Sequence, residues 1–306
     1  MKCLILLNGR FGIDRYFINN VDMESCQVNS LYEIYNKNIK YLLAAFWMEK
    51  CKFPIEQFWY GKWKKNIREY DIVIVFATNL SWRVLSYIRR KNNKCRIIVW
   101  NWDSLNKRRK LPEKYKQFCE VWSFDEKDCV KYGMNWNSQF YWPLEVSQRT
   151  PTYDVIFIGR DKGRVQQLND IVDFIREKGL SVYTYIQDDK IDRKWFQKKN
   201  KKEIEYEEVI NLVTRTKCVI DIPKKGQYGI TIRVLESIFY SKKLITTDSN
   251  IKNHRFYNKR NVFIWQEDDK EKLIEFINSE FIPIEEEIKK FYLFEEWLKR
   301  FKSVSK

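Results

Sequence analysis

The segment from Gly226 to Trp265, GQYGITIRVLESIFYSKKLITTDSNIKNHRFYNKRNVFIW, constrains the fold of this chain more than any other stretch. A Gly-containing loop opens a helix, Arg233 and Glu236 lie on its inner turns, and a short apolar strand follows at Lys243–Thr247. This is the loop–helix–strand unit of a Rossmann-like domain. The backbone N–H groups and positive dipole end of a helix N-terminus suit a pyrophosphate. A Glu one or two turns further in accepts hydrogen bonds from ribose hydroxyls. The pattern points to an enzyme that uses a nucleotide-activated donor.

Short apolar, β-branched runs alternate with amphipathic stretches along the whole chain, which is the α/β signature. The first half offers strands at Cys3–Leu7, Ile72–Phe76, Ile97–Trp100, Glu120–Ser123 and Phe140–Trp142, with helices around Leu31–Lys50 and Ser81–Lys91. The second half restarts the scheme. Strands are expected at Val155–Gly159, Val182–Tyr185, Val219–Ile222, 243–247 and Val262–Trp265, with helices near Gln166–Lys178, Tyr206–Thr216 and 231–241. The pattern breaks near Ser147–Tyr153, around Pro151. Two Rossmann-like domains are therefore expected over 1–150 and 151–283. An amphipathic helix at Ile284–Lys302, within a tail of 284–306, is expected to pack back across the domain junction; its other reading is a membrane-surface helix.

Composition narrows the class. A chain of 306 residues, 44% hydrophobic and 32% charged, with 9 Gly and 6 Pro, can fill two cores and leaves little room for disorder. No apolar run approaches the roughly 20 residues of a spanning helix. The start, MKCLILLNGRFGID, has too short an apolar core for a signal peptide and reads as a first buried strand. Seven scattered cysteines without CxxC spacing, and a single histidine, argue against structural zinc and for reduced thiols in a cytoplasmic protein. The net charge of +16 is uneven: residues 1–150 hold 26 Lys and Arg against 15 Asp and Glu. That half also holds the aromatic–basic run Phe58–Lys65 and the clusters Arg89–Lys91 and Lys107–Lys110. Such a face suits anionic lipid, nucleic acid or a pyrophosphate-bearing acceptor, and equally a solvated surface.

Three motifs resemble the GT-B glycosyltransferases, in particular the compact ones of bacterial surface-polysaccharide (capsule and lipopolysaccharide) synthesis. They are YDVIFIGRDKGR (Tyr153–Arg164), YEEVINLVTRTKCVIDI (Tyr206–Ile222) and GQYGITIRVLESIFYSKKLITT (Gly226–Thr247). Together they span nearly all of the second half; the first half shows only a compatible layout. The resemblance implies two Rossmann-like domains facing across a cleft, a nucleotide-sugar donor on the second and a saccharide acceptor on the first. It implies no cofactor beyond that substrate and no metal, because the departing diphosphate is stabilised by cations and helix-end amides. Asp188-Asp189, the nearest approach to a DxD pair, reads as a surface turn.

On this resemblance Arg160, Lys162 and Arg164, just after a strand, and Arg233, in the first turn of the 231–241 helix, are candidate diphosphate ligands. Ordinary surface or capping salt bridges are their other reading. Gly229 and Thr231 would let the backbone approach the phosphates, or form a plain turn and N-cap. Glu236 occupies the ribose-binding position; its alternative is an inward-facing carboxylate paired with a neighbouring Arg or Lys. The slot eight positions earlier, a glutamate in many retaining members, holds Tyr228, so inverting and retaining outcomes both stand open. A general base is sought in the first half, at Asp14 after the first strand or Asp103 after the strand ending at Trp100, with Asp125 a further candidate. His254 lies on the nucleotide side or at the surface.

The expected activity is sugar transfer to a lipid-linked or other saccharide acceptor by a cytoplasmic protein at the anionic inner face of the cell membrane. Two other readings stand beside it. One is another nucleotide-dependent transferase of polysaccharide assembly, such as a polyol-phosphate or pyruvyl transferase. The other is a nucleic-acid-binding protein, suggested by charge and by 12 Trp, 18 Tyr and 20 Phe. Against it stand the spread of those aromatics through expected strands and helices and the lack of a recognition motif, so no nucleic-acid partner is expected.

Overall fold

A computed structural model describes residues 1–9, 12–21, 23–33, 55–77, 82–105, 111, 113–147, 149–187 and 204–303. The helix expected over Leu31–Lys50 (beyond Glu33), the Lys107–Lys110 cluster and Asp188-Asp189 lie outside these residues. Contacts divide the chain into two units, Met1–Asn137 and Ser138–Lys306.

In the first unit β1 (Cys3–Leu7), α1 (Gly12–Asn20), β2 (Cys26–Ser30), β3 (Ile72–Phe76), α2 (Arg83–Lys91), β4 (Arg96–Asn101), α3 (Glu113–Lys116), β5 (Glu120–Ser123), α4 (Glu126–Tyr132) and β6 (Asn135–Trp136) follow in order. The strands form one parallel sheet in the order β2-β1-β3-β4-β5-β6. Its central strands CLILL and IVIVF are buried at every position, as parallel strands covered on both faces must be. β2, with the sequence CQVNS, was not expected: two buried residues among polar ones give a weak strand signal. It forms because it pairs with β1 along the edge of the sheet.

The aromatic–basic run folds into short 3₁₀ turns at Ile55–Phe58 and Lys62–Lys65. Tyr60, in an antiparallel bridge with Tyr32, and Trp63, in the second turn, face inward against Tyr87 at 5.0 and 6.0 Å between ring centroids, while Lys62 and Lys65 stay exposed. Trp63 Nε1 donates to the Leu31 carbonyl at 3.1 Å. A Cβ on Gly61 would lie 2.6 Å from the Ser30 carbonyl oxygen, so only glycine fits there.

The second unit contains β7 (Tyr153–Arg160), α5 (Val165–Glu177), β8 (Val182–Gln187), α6 (Tyr206–Thr214), β9 (Thr216–Asp221), α7 (Ile232–Phe239), β10 (Lys243–Thr246), β11 (Val262–Ile264), α8 (Leu273–Asn278), α9 (Glu286–Tyr292) and α10 (Phe294–Ser303). Its parallel sheet has the order β11-β10-β9-β7-β8. Val155, Phe157, Cys218, Ile220 and Ile245 from the strands pack with Leu168, Ile171 and Ile175 from α5 in one core. Both units are thus doubly wound, Rossmann-like α/β sheets, as the alternation of runs implied.

Two expectations are corrected here. Phe140–Trp142 is not a sheet strand; Tyr141 makes a single parallel bridge with Leu293. The helix expected at Ile284–Lys302 is two helices, broken at Leu293, which is extended at φ −66° and ψ 145°. One cause explains both. The Tyr141 N–H donates to the Tyr292 carbonyl at 2.7 Å, and the Phe294 N–H donates to the Tyr141 carbonyl at 3.0 Å. The helix opens to admit a backbone from 138–144, and apolar burial holds it open. Phe140 packs on Trp297 at 4.2 Å, and Trp297 on Phe301 at 4.6 Å. This is why residues from Ser138 onward belong to the second unit, upstream of the break expected near Ser147–Tyr153.

Trp297 is fully buried at the centre of that cluster. Trp297→Ala is expected to cost about 3–5 kcal/mol, read as a lower midpoint in urea unfolding of the full chain.

Candidate functional site

In sequence order the second sheet reads 2-1-3-4-5, so its strand order reverses between β7 and β9. Ligands of open α/β sheets bind outside the carboxyl ends of the strands at such a reversal. The chain delivers two devices there: the turn after β7 and the loop that enters α7.

The turn Arg160–Arg164 is pinned by Asp161. Its carboxylate accepts from the Gly163 N–H at 3.0 Å, its carbonyl accepts from the Arg164 N–H at 3.0 Å, and its own N–H donates to Gln187 at 3.1 Å. Lys162 at φ 45° and Gly163 at φ 74° are left-handed. For a lysine that conformation costs about 1–3 kcal/mol, the kind of strain that gathers at functional turns. Lys162 is exposed and Arg160 half-buried.

Arg164 lies back across the strand ends. Its Nε donates to the Arg160 carbonyl at 3.0 Å, Nη1 donates to the Ile222 carbonyl, and the guanidinium sits 5.2 Å from the Phe157 ring centroid. A Cβ on Gly159 would come within 2.8 Å of Arg164 Nη2, so the glycine makes room for this crossing. Arg164 therefore ties the end of β7 to the loop after β9.

The second device starts at Asp221, the last residue of β9, 1% exposed. Its carboxylate accepts from the Thr231 hydroxyl at 2.7 Å and the Thr246 hydroxyl at 3.2 Å. Burial pushes its pKa above the ordinary 3.8, against the two threonines and the Arg164 charge, which favour the carboxylate. Thr231 is the N-cap of α7: its Oγ1 accepts from the Arg233 N–H at 3.1 Å. One hydroxyl thus joins the cap of α7 to the buried acid. The intervening loop carries Lys224 and Lys225, both exposed, and turns at Gly226 with φ 85°. Gly229 is buried just ahead of the cap, and its carbonyl accepts from Gln227 Nε2 at 3.0 Å.

Glu236 faces inward and is fully buried. Its Oε1 accepts from the Tyr206 hydroxyl at 2.8 Å, and its Oε2 is paired with Arg233 Nη1. Tyr206 and Tyr141 hydroxyls lie 3.2 Å apart. Burial pushes the Glu236 pKa up, opposed by Arg233 and Tyr206. His254 closes the 3₁₀ turn Ser249–Asn253 after β10 and stacks on Phe256 at 5.2 Å.

The first sheet has its own reversal between β1 and β3, and the carboxylates Asp14 and Asp103 belong to its C-terminal edge. Asp14, 6% exposed, accepts from the Gly9 N–H at 3.0 Å and holds the loop after β1. Asp103 is half-buried and follows Trp102, which packs on Phe17 of α1 at 5.5 Å and on Phe76 of β3 at 5.0 Å. Asp125 is the N-cap of α4, accepting from the Asp128 N–H at 3.2 Å and from the Ser104 hydroxyl at 3.2 Å.

The structure therefore gathers Arg160, Lys162, Arg164, Gly229, Thr231, Arg233 and Glu236 around the strand ends and first turns of α7. Sequence reasoning missed Asp161, Tyr206, Asp221, Lys224 and Lys225. Asp221 had a legible signal: an acid closing an apolar strand, ten residues before a Thr that opens a helix.

No family model matches the chain, and no curated protein does. Among solved structures, one titled "Crystal Structure of TarM" is similar with 12% identity over 76% of this chain and 54% of that chain, at a TM-score of 0.48. A variant of S. aureus TarM, in complex with Fondaparinux, alpha-GlcNAc-glycerol and UDP, gives 11% identity, the same coverages and 0.49. The spinosyn forosaminyltransferase SpnP gives 11% identity over 99% of both chains and 0.43. The chain spans about half the length of the TarM structures it matches.

The raised pKa of Asp221 fixes the sign of a pH effect. The folded state holds the proton more tightly than the unfolded chain, so the contribution to stability is fully present below the unfolded value of about 3.8. It is lost as pH rises through the folded value. Asp221→Asn removes this loss. Urea unfolding from pH 3.5 upward is expected to show the wild type losing ground to the variant as pH rises.

Proposed function

We propose that the chain is a glycosyltransferase that binds a nucleotide-sugar donor on its second unit and transfers the sugar to a saccharide acceptor. The carrying observation is the convergence of a strained basic turn and an acid-anchored helix N-terminus on the strand-order reversal of the second sheet. A diphosphate suits that place. Exposed Lys162, Lys224 and Lys225 and half-buried Arg160 supply cations, and the first turn of α7 supplies N–H groups and a positive dipole end. The resemblance of the three second-unit motifs to GT-B enzymes supports sugar transfer over other uses of a nucleotide.

In such a transfer negative charge grows on the departing diphosphate as the anomeric C–O bond breaks. Fixed cations and amides stabilise it without a metal. Arg164 and Asp221 keep the two devices in register, one through the Ile222 carbonyl and the other through Thr231. An acceptor hydroxyl must lose a proton, and Asp14 and Asp103 on the first unit are the carboxylates for that step. Asp103 is half-buried and Asp14 buried, so Asp103 is the more accessible to an acceptor.

The acceptor is lipid-linked in this reading, and the protein works at the anionic inner face of the cell membrane, in surface-polysaccharide synthesis. No helix among the described residues is long and apolar enough to cross a membrane. Peripheral docking is supported by one face of the first unit. Phe58 is 70% exposed, Lys64 Nζ donates to its carbonyl at 3.2 Å, and Lys62 and Lys65 are exposed beside it. Arg90 joins them through Gln57 at 3.2 Å. Each cation near an anionic bilayer contributes about 1 kcal/mol.

Two measurements test this reading. Among UDP, GDP, dTDP and CMP, with and without sugars, one nucleotide is expected to raise the melting temperature, equally with EDTA present. Lys162→Ala is expected to weaken its binding about tenfold, or ~1.4 kcal/mol. No response to any nucleotide, with stabilisation by an oligonucleotide instead, would replace the reading by nucleic-acid binding. For the membrane face, sedimentation with phosphatidylglycerol vesicles is expected, and with phosphatidylcholine vesicles not. Lys62→Gln, Lys64→Gln and Lys65→Gln together should abolish it.

A further inference from the structure

The resemblance assigns Glu236 to the ribose, yet its surroundings assign it other work. Its carboxylate is 0% exposed, and each oxygen is engaged within the protein, Oε1 by Tyr206 and Oε2 by Arg233. With no exposed surface, the carboxylate is out of reach of a ribose hydroxyl unless the groups covering it move. Behind the carboxylate stands a relay of phenols. A single Tyr206 hydrogen cannot serve two acceptors, so Tyr206 donates to the carboxylate and accepts from the Tyr141 hydroxyl, 3.2 Å away. Burial holds both phenols well above their ordinary pKa of 10.0, so both remain donors. Tyr141 is itself clamped, stacked on Phe239 of α7 at 5.0 Å and bonded through its backbone into the break between α9 and α10.

The other end of the relay meets the site. Arg233 sits two residues after the Thr231 cap, with its side chain 16% exposed. Its guanidinium carries five N–H donors in a rigid fork, and pairing at Nη1 fixes the plane of the rest. The burial that would pull its pKa down is outweighed by Glu236, so the charge stays.

We infer that Glu236 is a positioning residue: oriented by Tyr206, it holds the Arg233 guanidinium at the diphosphate end of α7 and does not itself bind the ribose. This rests on the nucleotide reading above and makes Arg233 the group that touches the ligand, with Glu236 and Tyr206 acting through it. Glu236→Gln puts an amide that both donates and accepts where the guanidinium needs a carboxylate. Tyr206→Phe removes one hydroxyl and leaves the ring.

The test separates the two ends of the nucleotide. The intact chain, Glu236→Gln and Tyr206→Phe are titrated calorimetrically with UDP, GDP and dTDP, with inorganic pyrophosphate, and with uridine, guanosine and thymidine. Circular dichroism confirms that each variant is folded. The expected result is that Glu236→Gln weakens nucleotide and pyrophosphate by one common factor, about tenfold, and leaves nucleoside binding unchanged. Tyr206→Phe should follow in the same pattern with a smaller factor. Loss confined to nucleotide and nucleoside, with pyrophosphate unaffected, would overturn the inference and make Glu236 the ribose ligand. Unchanged binding by Tyr206→Phe would remove the tyrosine from the relay. A wild-type chain that binds neither nucleotide nor pyrophosphate would overturn the nucleotide reading, and this inference with it.

Discussion

A carboxylate with almost no water around it holds the C-terminal edge of the second sheet together. Asp221 ends β9 and takes the hydroxyls of Thr231, from the cap of α7, and Thr246, from the end of β10. Leaving such a group buried without partners costs several kcal/mol, so the three residues keep their places only as a set. The loop carrying Lys224, Lys225 and Gly226 has its ends fixed by that set. Arg164, lying between the ends of β7 and β9, adds positive charge beside the acid and hydrogen-bonds the residue that follows it.

The rest of the site inherits its order from this corner. α7 begins where Thr231 says it begins, which places Arg233 on its first turn and Glu236 one turn deeper, toward α6 and Tyr206. Charge is layered by depth: exposed lysines outermost, a partly covered guanidinium next, and carboxylates and phenols innermost. Such layering suits an anionic ligand at the surface, where clustered charge of one sign raises the local concentration of the ligand.

Much of this architecture was legible in the chain. Continuous apolar strands such as CLILL, IVIVF and VIFI fit a parallel sheet covered on both faces, and the intervening amphipathic stretches supply the cover. The loop-to-helix passage at Gly226–Arg233 was legible because caps and glycines act locally. The missed features are non-local. β2 reads as polar and is a strand only beside β1. The helix break at Leu293 has no proline or glycine, since its cause is the backbone of Tyr141. Glu236 could be read as ligand or internal partner, and the deciding neighbour, Tyr206, lies 30 residues earlier in the chain. The aromatic–basic run shows the opposite case: its composition suggested a face for anionic partners, but the bridge at Tyr60 and the turn at Lys62–Lys65 bury Tyr60 and Trp63 in the core.

The stitch between Tyr141 and the α9–α10 break has a consequence for how the protein is made. Ser138 and Arg300, bonded at 2.6 Å, are 162 positions apart in the chain. A growing polypeptide emerges from the ribosome with Phe140 and Tyr141 long before Trp297 exists to cover them. The contacts of Phe140 and Tyr141 with 292–301 must therefore wait until nearly all of the unit's length has been synthesised. The stitch is thus the last part of the second unit that can close, and it joins the start of that unit to its end.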